Sequence, residues 1–248
     1  MKRLLAGSVA ALLTLSLGTA AAPPPRVSIT LGPRHGHATP VRAGFTHTGG
    51  GNIDVAQPAP HILVITMTGV AVAGGHPCKC STASMNIDLE QCFEVNFDDP
   101  KMKRAKLTIE GRVIGLLRSH CKGGGSAQIG EACASVGAGE VEVIALSLPA
   151  HAVSGGENLA INDRQGPLRV PVDAGKYMLH QSFSVQASHP KTLFPCKAAS
   201  AEFAPDPALD PLWISYWEPF HGAAKKEFGF QVTITVDPDD SPAPLPEK

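Results

Sequence analysis

Apolar and polar residues alternate at every second position over several long stretches of the chain. Ile87, Leu89, Phe93, Val95 and Phe97 share one parity, and Asp88, Glu90, Glu94, Asn96 and Asp98 share the other. Successive side chains of a strand point to opposite faces, so this pattern predicts a half-buried strand. The same period links Leu107, Ile109, Val113 and Leu117 within 105–121. It recurs in Tyr177, Leu179, Phe183, Val185 and Ala187 within 176–188, and in Phe228, Phe230, Val232, Ile234 and Val236 near the end. Ile114 and Leu116 interrupt the polar face of 105–121, which predicts cover on both sides there. Gly111 and Gly115 predict a bulge or bend in the same strand.

The run from Ile62 to Val72 is apolar on both parities and reads as a central strand covered on each side. Shorter strands are expected at Arg26–Leu31, Glu140–Leu148 and Leu168–Val172. The segment 32–60 is rich in Gly, Pro and His and reads as loop or a loosely attached edge, and 122–139, 151–166 and 190–226, rich in Gly, Pro and polar residues, read as loops. No helical period lasts a dozen residues. The expected fold is therefore all-β: an antiparallel β-sandwich, or barrel-like sandwich, with long loops and little helix. It spans 61–237. A Pro/Gly/His-rich segment with one edge strand (23–60) precedes it, and an acidic, proline-rich, disordered tail (238–248) follows.

The first 22 residues have another purpose. Lys2 and Arg3, an apolar run from Leu4 to Leu17, and the small residues Gly18 to Ala22 make up an export signal. The expected location is outside the cytoplasm: periplasmic, cell-surface or secreted. After removal of 1–22 no membrane span is expected, because the run Ile62–Ala73 is too short. Without Lys2 and Arg3 the chain holds 19 basic and 22 acidic residues, and no long basic run. That balance argues against nucleic acid as a partner.

Six cysteines remain: Cys78, Cys80, Cys92, Cys121, Cys133 and Cys196. An even number in an exported chain predicts disulfides. Cys121 and Cys133 flank a glycine-rich segment and are the first candidate pair, followed by Cys80–Cys92 and Cys78–Cys196. The rival use is a metal site at His76, Cys78 and Cys80, which together offer an imidazole and two thiolates. The spacing Cys-x-Cys occurs once, whereas zinc sites usually repeat wider spacings. No cofactor is expected. The chain has neither Gly-x-Ser-x-Gly nor His-Glu-x-x-His, so catalysis ranks below binding.

In an otherwise aromatic-poor chain, Trp213, Tyr216, Trp217 and Phe220 fall within eight residues. Such rings can stack on sugars or grip a protein, or they can pin a loop to the core. The sequence thus predicts an exported, disulfide-stabilised, non-catalytic module for binding or structure. A protein or glycan partner would be met through that aromatic loop.

Overall fold

A computed structural model describes residues 26–44, 47–73, 80–119, 125–190, 199–202 and 229–239. Twelve strands follow in order: β1 (Val27–Gly44), β2 (His47–Ala59), β3 (Ile62–Ala73), β4 (Ser81–Phe97), β5 (Ala105–Ser119) and β6 (Ser126–Ala138); then β7 (Val141–Ser147), β8 (His151–Ser154), β9 (Asn158–Val172), β10 (Gly175–His189), β11 (Ala199–Glu202) and β12 (Gly229–Pro238). Among the described residues there is no helix. Two antiparallel sheets face each other. Sheet I runs β1-β4-β10-β6-β7, with β8 also on β6. Sheet II runs β2-β3-β12-β5-β9, and β11 shares the lane of β12 between β3 and β5. The molecule is a β-sandwich, as the alternation predicts.

Alternation builds the core. Leu63, Ile65 and Met67 of β3, Ile87 and Leu89 of β4, Leu107 and Ile109 of β5, and Val232 and Ile234 of β12 are buried between the sheets. Phe183 of β10 meets Phe230 of β12 across the gap, with ring centroids 6.0 Å apart. Phe93 stacks on Tyr177 within sheet I at 5.7 Å. Such aromatic pairs add about 0.5–1.5 kcal/mol each to their area burial. Ile114 and Leu116 are also buried, although they point away from sheet I, in agreement with the broken polar face of their strand.

Residues 32–60 take the edge rather than the loop alternative: they complete β1 and supply β2, one edge strand of each sheet. Three expectations need correction. The glycine-rich stretch 122–139 contains β6, and 151–166 contains β8 and most of β9. The irregularity expected in β5 at Gly111 lies in its partner. Between Ile109 and Gly111 the register jumps from Leu168 to Gln165, so the extra residue belongs to β9. The export signal, the aromatic segment Trp213–Phe220 and residues 240–248 of the tail lie outside the described residues.

β11 and β12 form one interrupted strand. Glu202 is opposite Leu116, and Gly229 is opposite Ile114. The described end of β11 and the described start of β12 therefore lie on either side of Gly115, in one line.

Candidate functional site

Among the described residues, the outer face of sheet I brings His, Asp, Glu, Ser and Cys side chains together on adjacent strands. Register fixes their neighbours. One tier across the sheet is His35, Glu90, His180 and Ser135; the next is His37, Asp88, Ser182 and Cys133. On β4 and β10 simple alternation turns these residues outward. On β1 it does not suffice. Leu31 faces Phe93 and Arg34 faces Gln91, so one extra residue at Gly32–Pro33 reverses the phase of the strand. That bulge turns His35 and His37 outward, opposite two carboxylates.

The contacts follow the tiers. The Ser182 hydroxyl donates to Asp88 Oδ1 at 2.9 Å. His37 Nε2 lies 3.6 Å from the other oxygen of Asp88, and His180 Nδ1 lies 3.6 Å from Glu90. Serine, aspartate and histidine are thus adjacent, but with the carboxylate in the middle. A nucleophilic serine needs the imidazole beside its hydroxyl to take the proton. Ser182 offers its proton to Asp88 instead.

Next to Ser182, a shallow groove of about 370 Å³ opens between β10, β6, β7 and β9. Its lining includes Cys133, Ser135, Glu142, Ser147, Gln165, His180 and Ser182. The backbone N–H of Ser147 donates to Gln165 Oε1 at 2.8 Å and holds that amide against the groove. The Cys133 thiol donates to Glu131 at 3.1 Å. Burial, then the hydrogen bond to Glu131 and its charge, push the pKa of Cys133 up to about 11. At neutral pH the thiol stays protonated and is a poor nucleophile. The groove therefore offers hydrogen-bonding groups rather than an activated attacking atom.

A second polar contact closes the neighbouring rim. His151 of β8 lies 2.5 Å from Asp163 of β9, with both side chains about 30% exposed (28% and 29%). The pair joins an edge of sheet I to an edge of sheet II. Both residues fall in the stretch read as polar loop, so no periodic signal pointed to them. Among the described residues, no three His, Cys, Asp or Glu side chains gather as a metal site.

The cysteines are placed differently from the expected framework. Cys80, Cys92 and Cys133 are free thiols. Cys80 directly precedes β4 and Cys92 lies twelve residues along it, about 40 Å at ~3.3 Å per residue. A disulfide needs Cα atoms within about 7 Å, so this pair cannot form. Cys133 does not close a loop end either. It lies within β6, eight residues or roughly 26 Å beyond Gly125. Cys121, Cys78, Cys196 and His76 lie outside the described residues, as do Trp213, Tyr216, Trp217 and Phe220.

No protein-family model matches the chain, and no curated protein matches it.

Proposed function

We propose that the chain is an exported, non-catalytic binding module, and that the groove on the outer face of sheet I takes a small hydroxyl-rich ligand, such as the end of a glycan. One observation carries this reading. Hydroxyls from Ser135, Ser147 and Ser182, the Gln165 amide and the His180 imidazole line one concave patch drawn from four strands. Groups of this kind exchange hydrogen bonds with a polyol, and strands hold them in fixed positions. The protonated Cys133 and the Ser182–Asp88 contact support binding rather than group transfer. Export is supported by the charge, apolar and small-residue order of 1–22.

Glycan-array screening of the mature chain, followed by calorimetry, tests the reading. Ser182→Ala and His180→Ala are each expected to weaken binding of the best hit about tenfold with melting temperature little changed. Affinity unaltered by both variants overturns the groove. The alternative site is the aromatic segment, favoured by the concentration of rings there and by its attachment at both ends to one central lane of sheet II. Loss of binding in Trp213→Ala or Trp217→Ala, with the groove variants intact, would move the site there.

A further inference from the structure

Two sulfur atoms meet on the outer face of sheet I, one tier beyond Glu90 and His180. Cys92 of β4 and Met178 of β10 are register partners, and the thiol donates to the thioether at 3.6 Å. Both side chains are half-buried. Their neighbours along the two strands on this face are polar: Glu90 and Glu94 flank Cys92, and Lys176 and His180 flank Met178. The tier has glycine on both sides. Gly32, in the β1 bulge, lies over Cys92, where an added Cβ would come within 3.0 Å of the Cys92 Cβ. Gly137 of β6 is the register partner of Met178. Neither glycine adds a side chain beside the two sulfurs, and both sit in close contact with their neighbours: Gly32 with Cys92, and Gly137 with the Val141 carbonyl, 3.2 Å from an added Cβ.

We propose that Cys92 and Met178 form a binding site for copper(I), held between a thiolate and a thioether. Soft sulfur donors select this ion, which accepts two or three ligands. Zinc asks for four donors and takes them from Cys, His, Asp and Glu. Two metal–sulfur bonds of about 2.3 Å in line span about 4.6 Å, so the sulfurs must part by roughly 1 Å. The unbranched Met178 side chain permits that movement. The Cys92 S–H bond breaks as the S–Cu bond forms, and the proton passes to water. Copper enters and remains as Cu(I), so no electron is transferred. His180, two residues along the same face of β10, brings an imidazole to the adjoining tier.

The test uses the full chain, reduced and free of oxygen, with its methionine methyl groups labelled with carbon-13. Cu(I) is added as its acetonitrile complex, and its affinity is measured against a chromophoric Cu(I) chelator. Met67 and Met85 are fully buried and report on the fold. The first equivalent is expected to move the Met178 methyl resonance and to leave those of Met67 and Met85. Cys92→Ser should abolish that movement and weaken copper affinity at least tenfold; Cys133→Ser should change neither. A Met178 resonance that stays still while other thiols take up copper overturns the proposal, as does an equal response to zinc. If Cys92→Ser disturbs Met67 and Met85, Met178→Leu decides: a tenfold loss of affinity upholds the site, and unchanged affinity refutes it.

Discussion

A thiol attacks as its thiolate, and Cys133 is held in the other form by burial and by Glu131. Limited maleimide labelling at pH 8, read by peptide mass spectrometry, should modify the exposed Cys80 well before Cys133. Cys133 should become reactive as pH rises through 10 and 11, and Glu131→Gln should bring that rise to lower pH. Equal labelling of the two at pH 8 would contradict this protection. The sign of the linkage follows. The folded chain binds this proton more tightly than a free thiol does, with a pKa of about 11 against 9.0. The associated stabilisation is complete below pH 9 and fades toward pH 11. Gly166 presents a different constraint. Its φ is +102°, and an added Cβ would lie 2.7 Å from the Ile109 carbonyl oxygen. Gly166→Ala should therefore cost about 1–3 kcal/mol, visible as a lower urea midpoint. Neither residue was legible from sequence. Glu131 and Cys133 sit two apart in a stretch whose glycines suggest a loop, and nothing in it marks the thiol as buried.

The strands that could be read from sequence are those whose alternation runs unbroken. β4 and β10 bury every second residue along nearly their whole length, and β12 does so from Phe230 to Val236. Three strands that could be read only on one side of a break, or not at all, each carry one extra residue that reverses the phase. In β1 the extra residue falls at Gly32–Pro33, in β6 at Gly130, and in β9 beside Gly166. In β6 the inward residues are Ala127 and Ile129 before the bulge, then Ala132, Ala134 and Val136 after it. Half of a pattern on each parity, built largely of alanine, resembles no pattern at all. The same bulges shape the outer face of sheet I: the one in β6 sets Cys133 and Ser135 on the groove side, and the one in β1 turns His35 and His37 outward. Ser182, His180, Asp88 and Glu90 could be placed on polar faces from sequence, but their neighbours could not, since register depends on pairing between distant strands. The His151–Asp163 contact is a packing effect, between β8 at an edge of sheet I and β9 at an edge of sheet II. His151→Ala should lower stability by about 1–2 kcal/mol, and Asp163→Asn should add little to it in the double variant. Full additivity in a denaturation cycle would show that the two side chains act separately.

At the scale of the molecule, two sheets of five lanes each bury one continuous core, and sheet I's outer face carries the groove and the sulfur pair. The lane shared by β11 and β12 has a consequence for what this chain can become. Because Glu202 and Gly229 are held in line, opposite Leu116 and Ile114, the two ends of whatever joins them are fixed by the sandwich. A flexible connection that doubles in length adds only about 0.6 kcal/mol of closure entropy. A flexible Gly/Ser stretch of 26 residues inserted directly after Glu202 should therefore leave the denaturation midpoint almost unchanged, whereas a large fall would show that this length is specified. The lane is in effect a socket: mutation can lengthen or rewrite the stretch between Glu202 and Gly229 and try out new recognition surfaces, while the framework that carries it is inherited intact.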